Sequence, residues 1–184
     1  MNRLAYILKA KTQYNLHSPF VFDLYNEALL PRVDSKKLKT NTLSGQDRRN
    51  AALIYKIADH YGVKNIVLCG FQKGIPFSDW VEKELPQLVG ASNIDVRSLG
   101  GERKTNLLIV CPIGCYAMLK EENEGFMSND TIVVTTNIHG GKLAERQWDD
   151  LCFDSFNRLA VDLYSMGVVF YRKELSEERY TLLV

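Results

Sequence analysis

Five short, unbroken apolar runs constrain this chain more than any other feature: "NIVLC", "LLIVC", "TIVVTT", "LAVDLY" and "MGVVFY". None approaches the roughly 20 residues that a membrane-crossing helix requires. Runs of four to six residues rich in Val and Ile read as strands buried on both faces, the condition of a parallel sheet covered by helices. Strands are accordingly expected at Asn65–Cys69, Asn93–Leu99, Leu107–Cys111 and Thr131–Thr136. The stretch "LAVDLYSMGVVFYRK" reads as two strands around Ser165-Met166-Gly167, and "RYTLLV" as a third, with antiparallel pairing among them.

The intervening segments carry helical periodicity. Residues 3–12 place Leu4, Ile7 and Leu8 on one side of a short helix. In "HSPFVFDLYNEALL", Ser18 offers an N-cap, and Pro19 suits the first helical position, where its missing N–H is of no consequence. Apolar residues then recur at Phe20, Val21, Leu24, Tyr25, Ala28 and Leu29 until Pro31. Residues 31–43 are polar and basic without periodicity and read as a linker; Lys36-Lys37-Leu38-Lys39 within them reads as a solvated loop.

"SGQDRRNAALIYKIADHYG" is the clearest helix, with Ser44 as N-cap, Asp47 in the first turn and Gly62 as a left-handed C-cap. Further helices are expected over Pro76–Leu88, where Pro86 kinks or ends the helix, over Cys115–Asn123 and over Leu143–Arg158. Trp80 and Trp148 fall on apolar stripes and are assigned to the core, and "KELSEE" to a solvated turn. The outcome is an α/β chain with a mostly parallel sheet, an antiparallel C-terminal hairpin at its edge and an N-terminal helical extension. Residues 1–43 form the extension and linker, and residues 44–184 the α/β domain.

With a net charge of +1, no strong overall field draws the chain to nucleic acid or to an anionic membrane, and neither is expected as a partner. The N-terminus lacks the long apolar core and cleavage site of a signal peptide. Cys69, Cys111, Cys115 and Cys152 show no secreted-domain framework, which points to a reducing cytoplasm. Cys111 and Cys115 form C-x-x-x-C, but no second pair follows to complete a zinc site. Buried cysteine acting as a small hydrophobe is the simpler reading.

After the first strand, "VLCGFQKGI" breaks into a turn with two glycines, Gly70 and Gly74. In order of elements, the chain resembles a class I S-adenosylmethionine (SAM)-dependent methyltransferase. It is most similar to a group of short bacterial ones with an HSPF-containing N-terminal segment, here "YILKAKTQYNLHSPFVFDL". "VDLYSMGVVFYRKE" has the shape of that group's final hairpin, "VKNIVLCGFQKGI" stands at the SAM-binding motif I, and "TIVVTTNIH" stands at the fifth strand and its exit. The resemblance implies a Rossmann-like fold and a SAM site lined by Gly70, Phe71, Gly74 and Ser98.

The departures from that pattern bear on function. The acid that precedes the first motif I glycine in the family is here Cys69, and the small turn residues are Phe71, Gln72 and Lys73. The ribose-binding acid that ends the family's second strand falls here on Ser98 or Leu99; Asp95 lies too early, and Glu102 lies beyond two glycines. Hydrogen bonds to charged groups are worth about 1.5–3 kcal/mol each, so losing two weakens SAM by at least about a hundredfold. The 37 residues between Cys69 and Leu107 hold one helix and one strand, since a βαβ unit takes about 30 or more. The layer that covers adenine in the family has no room there.

Metal-dependent members of this fold place acids after the fourth and fifth strands. Thr135 and Thr136 stand there instead, Asn137 is the remaining oxygen donor, and no metal is assigned. His139 in the same exit reads as a loop histidine bonded to nearby structure, with a general base as the alternative; His17 reads as a structural tether before the second helix.

Three functions follow in order. The first is a methyltransferase-like protein with a degenerate cofactor site, SAM weak or absent, serving as a binding or scaffolding module for a protein or small-molecule partner. The second is an active SAM-dependent methyltransferase on a small molecule. The third is a different nucleotide binder that uses the Gly70–Gly74 turn and the start of the Pro76 helix. A sheet margin left exposed by the short middle would favour a homodimer.

Overall fold

The computed structural model describes residues 3–12, 15–34, 36–94, 105–122, 128–154 and 157–184, apart from the side chains of residues 119, 120 and 122. Its helices are α1 (Arg3–Lys9), α2 (Pro19–Asp23, continued by a π-helical turn Leu24–Leu29), α3 (Gly45–His60), α4 (Pro76–Asp79), α5 (Leu85–Val89), α6 (Tyr116–Glu122) and α7 (Lys142–Cys152). Its strands are β1 (Asn65–Leu68), β2 (Ser92–Asn93), β3 (Leu107–Pro112), β4 (Ile132–Thr136), β5 (Leu159–Asp162), β6 (Met166–Phe170) and β7 (Glu178–Thr181). They form one seven-stranded sheet in the order β2-β1-β3-β4-β6-β5-β7. Six strands run one way and β6 runs against its two neighbours.

Alternation along the strands sends side chains to two cores. Leu108 and Val110 of β3 join Ile66, Val134, Val161 and Val168 beneath α2, α3 and the α4–α5 run. Leu107, Ile109 and Cys111 point the other way, with Val67, Val133 and Val169, to meet Tyr116 of α6 and Trp148 and Leu151 of α7. Both faces are therefore covered, which is why these runs read as continuously apolar rather than alternating. The two tryptophans are core, one in each layer: Trp80 donates its indole N–H to Leu38 O at 2.7 Å, and Trp148 lies flat on β6. A Cβ on Gly167 would stand 2.8 Å from the Trp148 ring carbon Cε3, so only glycine fits there.

The capping expectations hold. Ser18 accepts from Val21 N with Pro19 in the first turn, Ser44 accepts from Asp47 N, and Gly62 takes φ 59° after α3. Other expectations need correction. Of the two outcomes open at Pro86, a kink or an end, the end does not occur; the preceding turn, Trp80–Glu84, widens to π geometry, with Leu85 N–H bonded to Trp80 O. The helix runs on to Val89 and stops at Gly90 in the left-handed region. Segment 31–43 is anchored to the protein: Leu38, Thr40 and Leu43 are buried, while the lysines around Leu38 face outward. The helix expected over Leu143–Arg158 is Lys142–Cys152, closed by the Asn157 amide on Leu151 O. The strand expected at Asn93–Leu99 is described only as Ser92–Asn93; residues 95–104 lie outside the described residues.

The C-terminal hairpin is antiparallel as expected, but it is not the sheet margin. β6 sits between β4 and β5, and β7 lies beyond β5, parallel to it and not antiparallel. Beyond β7, Lys11 N–H bonds Thr181 O at 2.7 Å and Leu183 N–H bonds Lys11 O at 3.4 Å. The N-terminal segment thus occupies part of the bonding edge that β7 would otherwise leave open. Among the described residues, no helix is long and apolar enough to cross a membrane.

Candidate functional site

In open α/β sheets, ligands settle beyond the carboxyl ends of strands where the order reverses. Here that point lies between β1 and β3, and the two exits are Cys69-Gly70-Phe71 and Pro112–Cys115. Gly70 takes φ 73° and Gly74 φ 82°, so both glycines hold left-handed backbone that a side chain would strain. Their surroundings differ. A Cβ on Gly74 would meet nothing within 4 Å, whereas one on Gly70 would stand 2.7 Å from Cys115 Cβ and closer still to Cys115 Sγ.

The Cys115 thiol therefore rests on the Gly70 backbone, with Sγ 3.9 Å from Gly70 O and the Pro112 ring beside it. Phe71 turns back into the protein, its ring 5.6 Å from that of Phe77 and packed on the larger core. Ser78 is buried and donates to Gln72 O at 2.8 Å and Ile75 O at 2.9 Å, which stitches the turn to the helix that follows. Lys73 is exposed. Ser98 lies outside the described residues, as do Asp95, Leu99 and Glu102. Gly70 and Phe71 are thus brought together in one tight turn, with Gly74 on its open side.

Cys69 and Cys111 are buried on neighbouring strands. Burial, then the nearby Cys69 and Cys115, push the Cys111 thiol well above the ordinary range, so it stays protonated and packs as a small apolar group. Among the described residues, no group of three or more His, Cys, Asp or Glu is arranged to hold a metal ion.

A second constellation occupies the exits of β4 and β5. Asp162, 1% exposed, accepts from His139 Nε2 at 2.9 Å and from Tyr164 N–H at 2.8 Å. The His139 side chain is 8% exposed, and its Nδ1 lies 3.5 Å from Glu145 Oε1 on α7. A carboxylate can only accept, so Asp162 requires the proton on Nε2 and fixes the ring's orientation. Tyr6 of α1 places its hydroxyl on the carbonyls of Asp162, at 3.0 Å, and Leu182. Its ring packs edge-on against Tyr164 at 5.0 Å. Burial, then the charges of Asp162 and Tyr25, hold the Tyr6 phenol far above its ordinary range, so it remains a donor at every relevant pH.

Adjacent to this, Ser165 donates to Asn50 Oδ1 of α3 at 2.7 Å, and Asn137 N–H bonds Ser165 O at 2.9 Å. Asn137 takes φ 64°, and its side-chain amide lies where a Cβ of Gly140 would be. Of these residues, sequence reasoning reached only His139, Asn137 and, on its strand, Thr135. Asp162 was legible in principle: a carboxylate inside "LAVDLY" faces burial and requires a partner. Tyr6 and Asn50 lie far away in sequence and gave no such signal.

Fold and site together define an α/β protein with a seven-stranded, mostly parallel sheet, compatible with a Rossmann-like architecture. Comparison with family models, with curated proteins and with solved structures returned no match.

Proposed function

We propose that this chain is a methyltransferase-like protein whose cofactor turn has closed on itself, and that it works as a binding or scaffolding module. What carries the reading is Cys115 on Gly70. In a cofactor-binding turn, glycine lets the backbone approach a ligand; here the space over Gly70 is taken by the protein's own thiol. Phe71 supports the same reading, because its ring is committed to Phe77 and the core rather than to a ligand edge. At the other exit, the buried Asp162 is already bonded to His139 and Tyr164 N–H.

Calorimetric titration of SAM and S-adenosylhomocysteine, with ATP and NAD alongside, tests the proposal. The expected outcome is no saturation below about millimolar ligand, the level that loss of two charge-assisted hydrogen bonds sets for a micromolar site. Saturation by SAM in the range of about tens of micromolar would overturn it and restore an active methyltransferase. Tight binding of ATP or NAD without a response to SAM would replace it with a nucleotide-binding function.

A further inference from the structure

Helix α1 is seven residues long, too short to be stable in water by itself. It is held by Tyr6, whose hydroxyl bonds near the ends of β5 and β7. Pinning that side turns the opposite side outward. Leu4 is 69% exposed, Ile7 43% and Leu8 80%, and the three cluster on one helical face at i, i+3 and i+4 spacing. Single exposed leucines are ordinary, whereas three contiguous ones on a helix fixed in orientation form a presented surface.

Charge decides what this surface fits. Arg3 and Lys9 are exposed on the same helix, Lys11 follows it, and the first acidic residue in the sequence is Asp23. The overall charge of +1 conceals this local excess. Like charge opposes packing of α1 against α1 of a second copy. The apolar face shares its helix with two cations and no acid, which is the form of a helix lying in the headgroup layer of an anionic bilayer.

We infer that α1 is a docking element for an anionic lipid surface, with Leu4, Ile7 and Leu8 entering the headgroup–acyl boundary and Arg3 and Lys9 meeting the anionic headgroups. The inference is independent of the closed cofactor turn, since titration of SAM reads the β1–β3 exit and lipid binding reads α1.

Co-sedimentation of the full chain with vesicles of three parts phosphatidylcholine to one part phosphatidylglycerol tests it, with pure phosphatidylcholine vesicles as the comparison. The wild type is expected to bind the mixed vesicles, and to bind them more weakly as salt rises. The double variant Leu4→Ser/Leu8→Ser is expected to lose binding by more than about tenfold. Arg3→Gln/Lys9→Gln is expected to lose roughly thirtyfold, at about a fivefold loss per basic residue near an anionic surface. Circular dichroism checks that the variants stay folded, which the exposure of all four residues favours. Absence of binding to mixed vesicles overturns the proposal, as does equal binding by wild type and the serine variant. Equal binding to both vesicle types removes the anionic lipid and overturns it too. So does a dimer, abolished by the serine variant, in a protein that ignores vesicles.

Discussion

The exit of β1 and the exits of β4 and β5 open at the same end of one sheet, yet they are built on opposite principles. At the first, Cys115 closes over Gly70 and Phe71 packs on Phe77 by steric fit, and the charged residue in the turn, Lys73, faces outward. At the second, His139 and Tyr164 N–H bond the Asp162 carboxylate while Tyr6 bonds the Asp162 backbone carbonyl, a set of directed hydrogen bonds. The glycine-rich turn is the part whose sequence advertises a ligand, and its conformation is accounted for by internal packing. The other part advertises little and gathers the buried polar chemistry. Glycines in a turn report backbone conformation; they do not report what lies against it.

The sharpest way to break this comparison is to remove the buried charge. Asp162→Ala leaves His139 and Tyr164 N–H without their acceptor in a largely buried site. A buried donor left without its acceptor costs about 1–3 kcal/mol, and two are left here. Urea denaturation should show a loss of that order, and a loss of less than about 1 kcal/mol would mean that the pair is solvated and the contrast between the two exits is false.

The next effect tests the closed turn. Gly70→Ala forces a side chain into left-handed backbone, at about 1–2 kcal/mol, and into Cys115, at about 1–3 kcal/mol. Cys115→Gly in the same chain should return the second part and leave the first. A double-mutant cycle reads the difference directly. Strict additivity would show that Cys115 does not rest on Gly70, and the space there would again be open to a ligand.

The smallest expected change comes from Tyr6→Phe, which keeps the ring and removes the hydroxyl that joins α1 to Asp162 O and Leu182 O. A net loss of about 1 kcal/mol is expected from denaturation. Hydrogen exchange should show the opening concentrated in residues 3–12. An unchanged exchange pattern would place the anchor of α1 elsewhere.

How much of this was legible beforehand follows from the range of each signal. Local chemistry carried well: Ser18, Ser44 and Gly62 act within a few residues of themselves, and both tryptophans fell on stripes that the core uses. Apolar runs gave the strands, and alternation with helices gave a mostly parallel sheet. Strand order did not follow, because nothing in "RYTLLV" states that β7 passes β6 and lies parallel to β5. Pro86 left two outcomes open, a kink or an end, since helix interruption depends on what the preceding turn can absorb, and a π turn absorbed it. At the sites, motif shape singled out Gly70 and Phe71, but the neighbour that rests on Gly70, Cys115, is 45 residues away. The partners of Asp162 were harder still, since Tyr6 lies 156 residues from it.

That last separation has a consequence for biogenesis. The Tyr6 hydroxyl and the Lys11 backbone close on Leu182 and Thr181, so α1 has no docking place until β7 has left the ribosome. β5 and β7 likewise join the sheet only through β6, whose residues are themselves made late. During synthesis, therefore, α1 emerges well before the strand that fastens it, and Tyr6 stays open to chaperones over that interval.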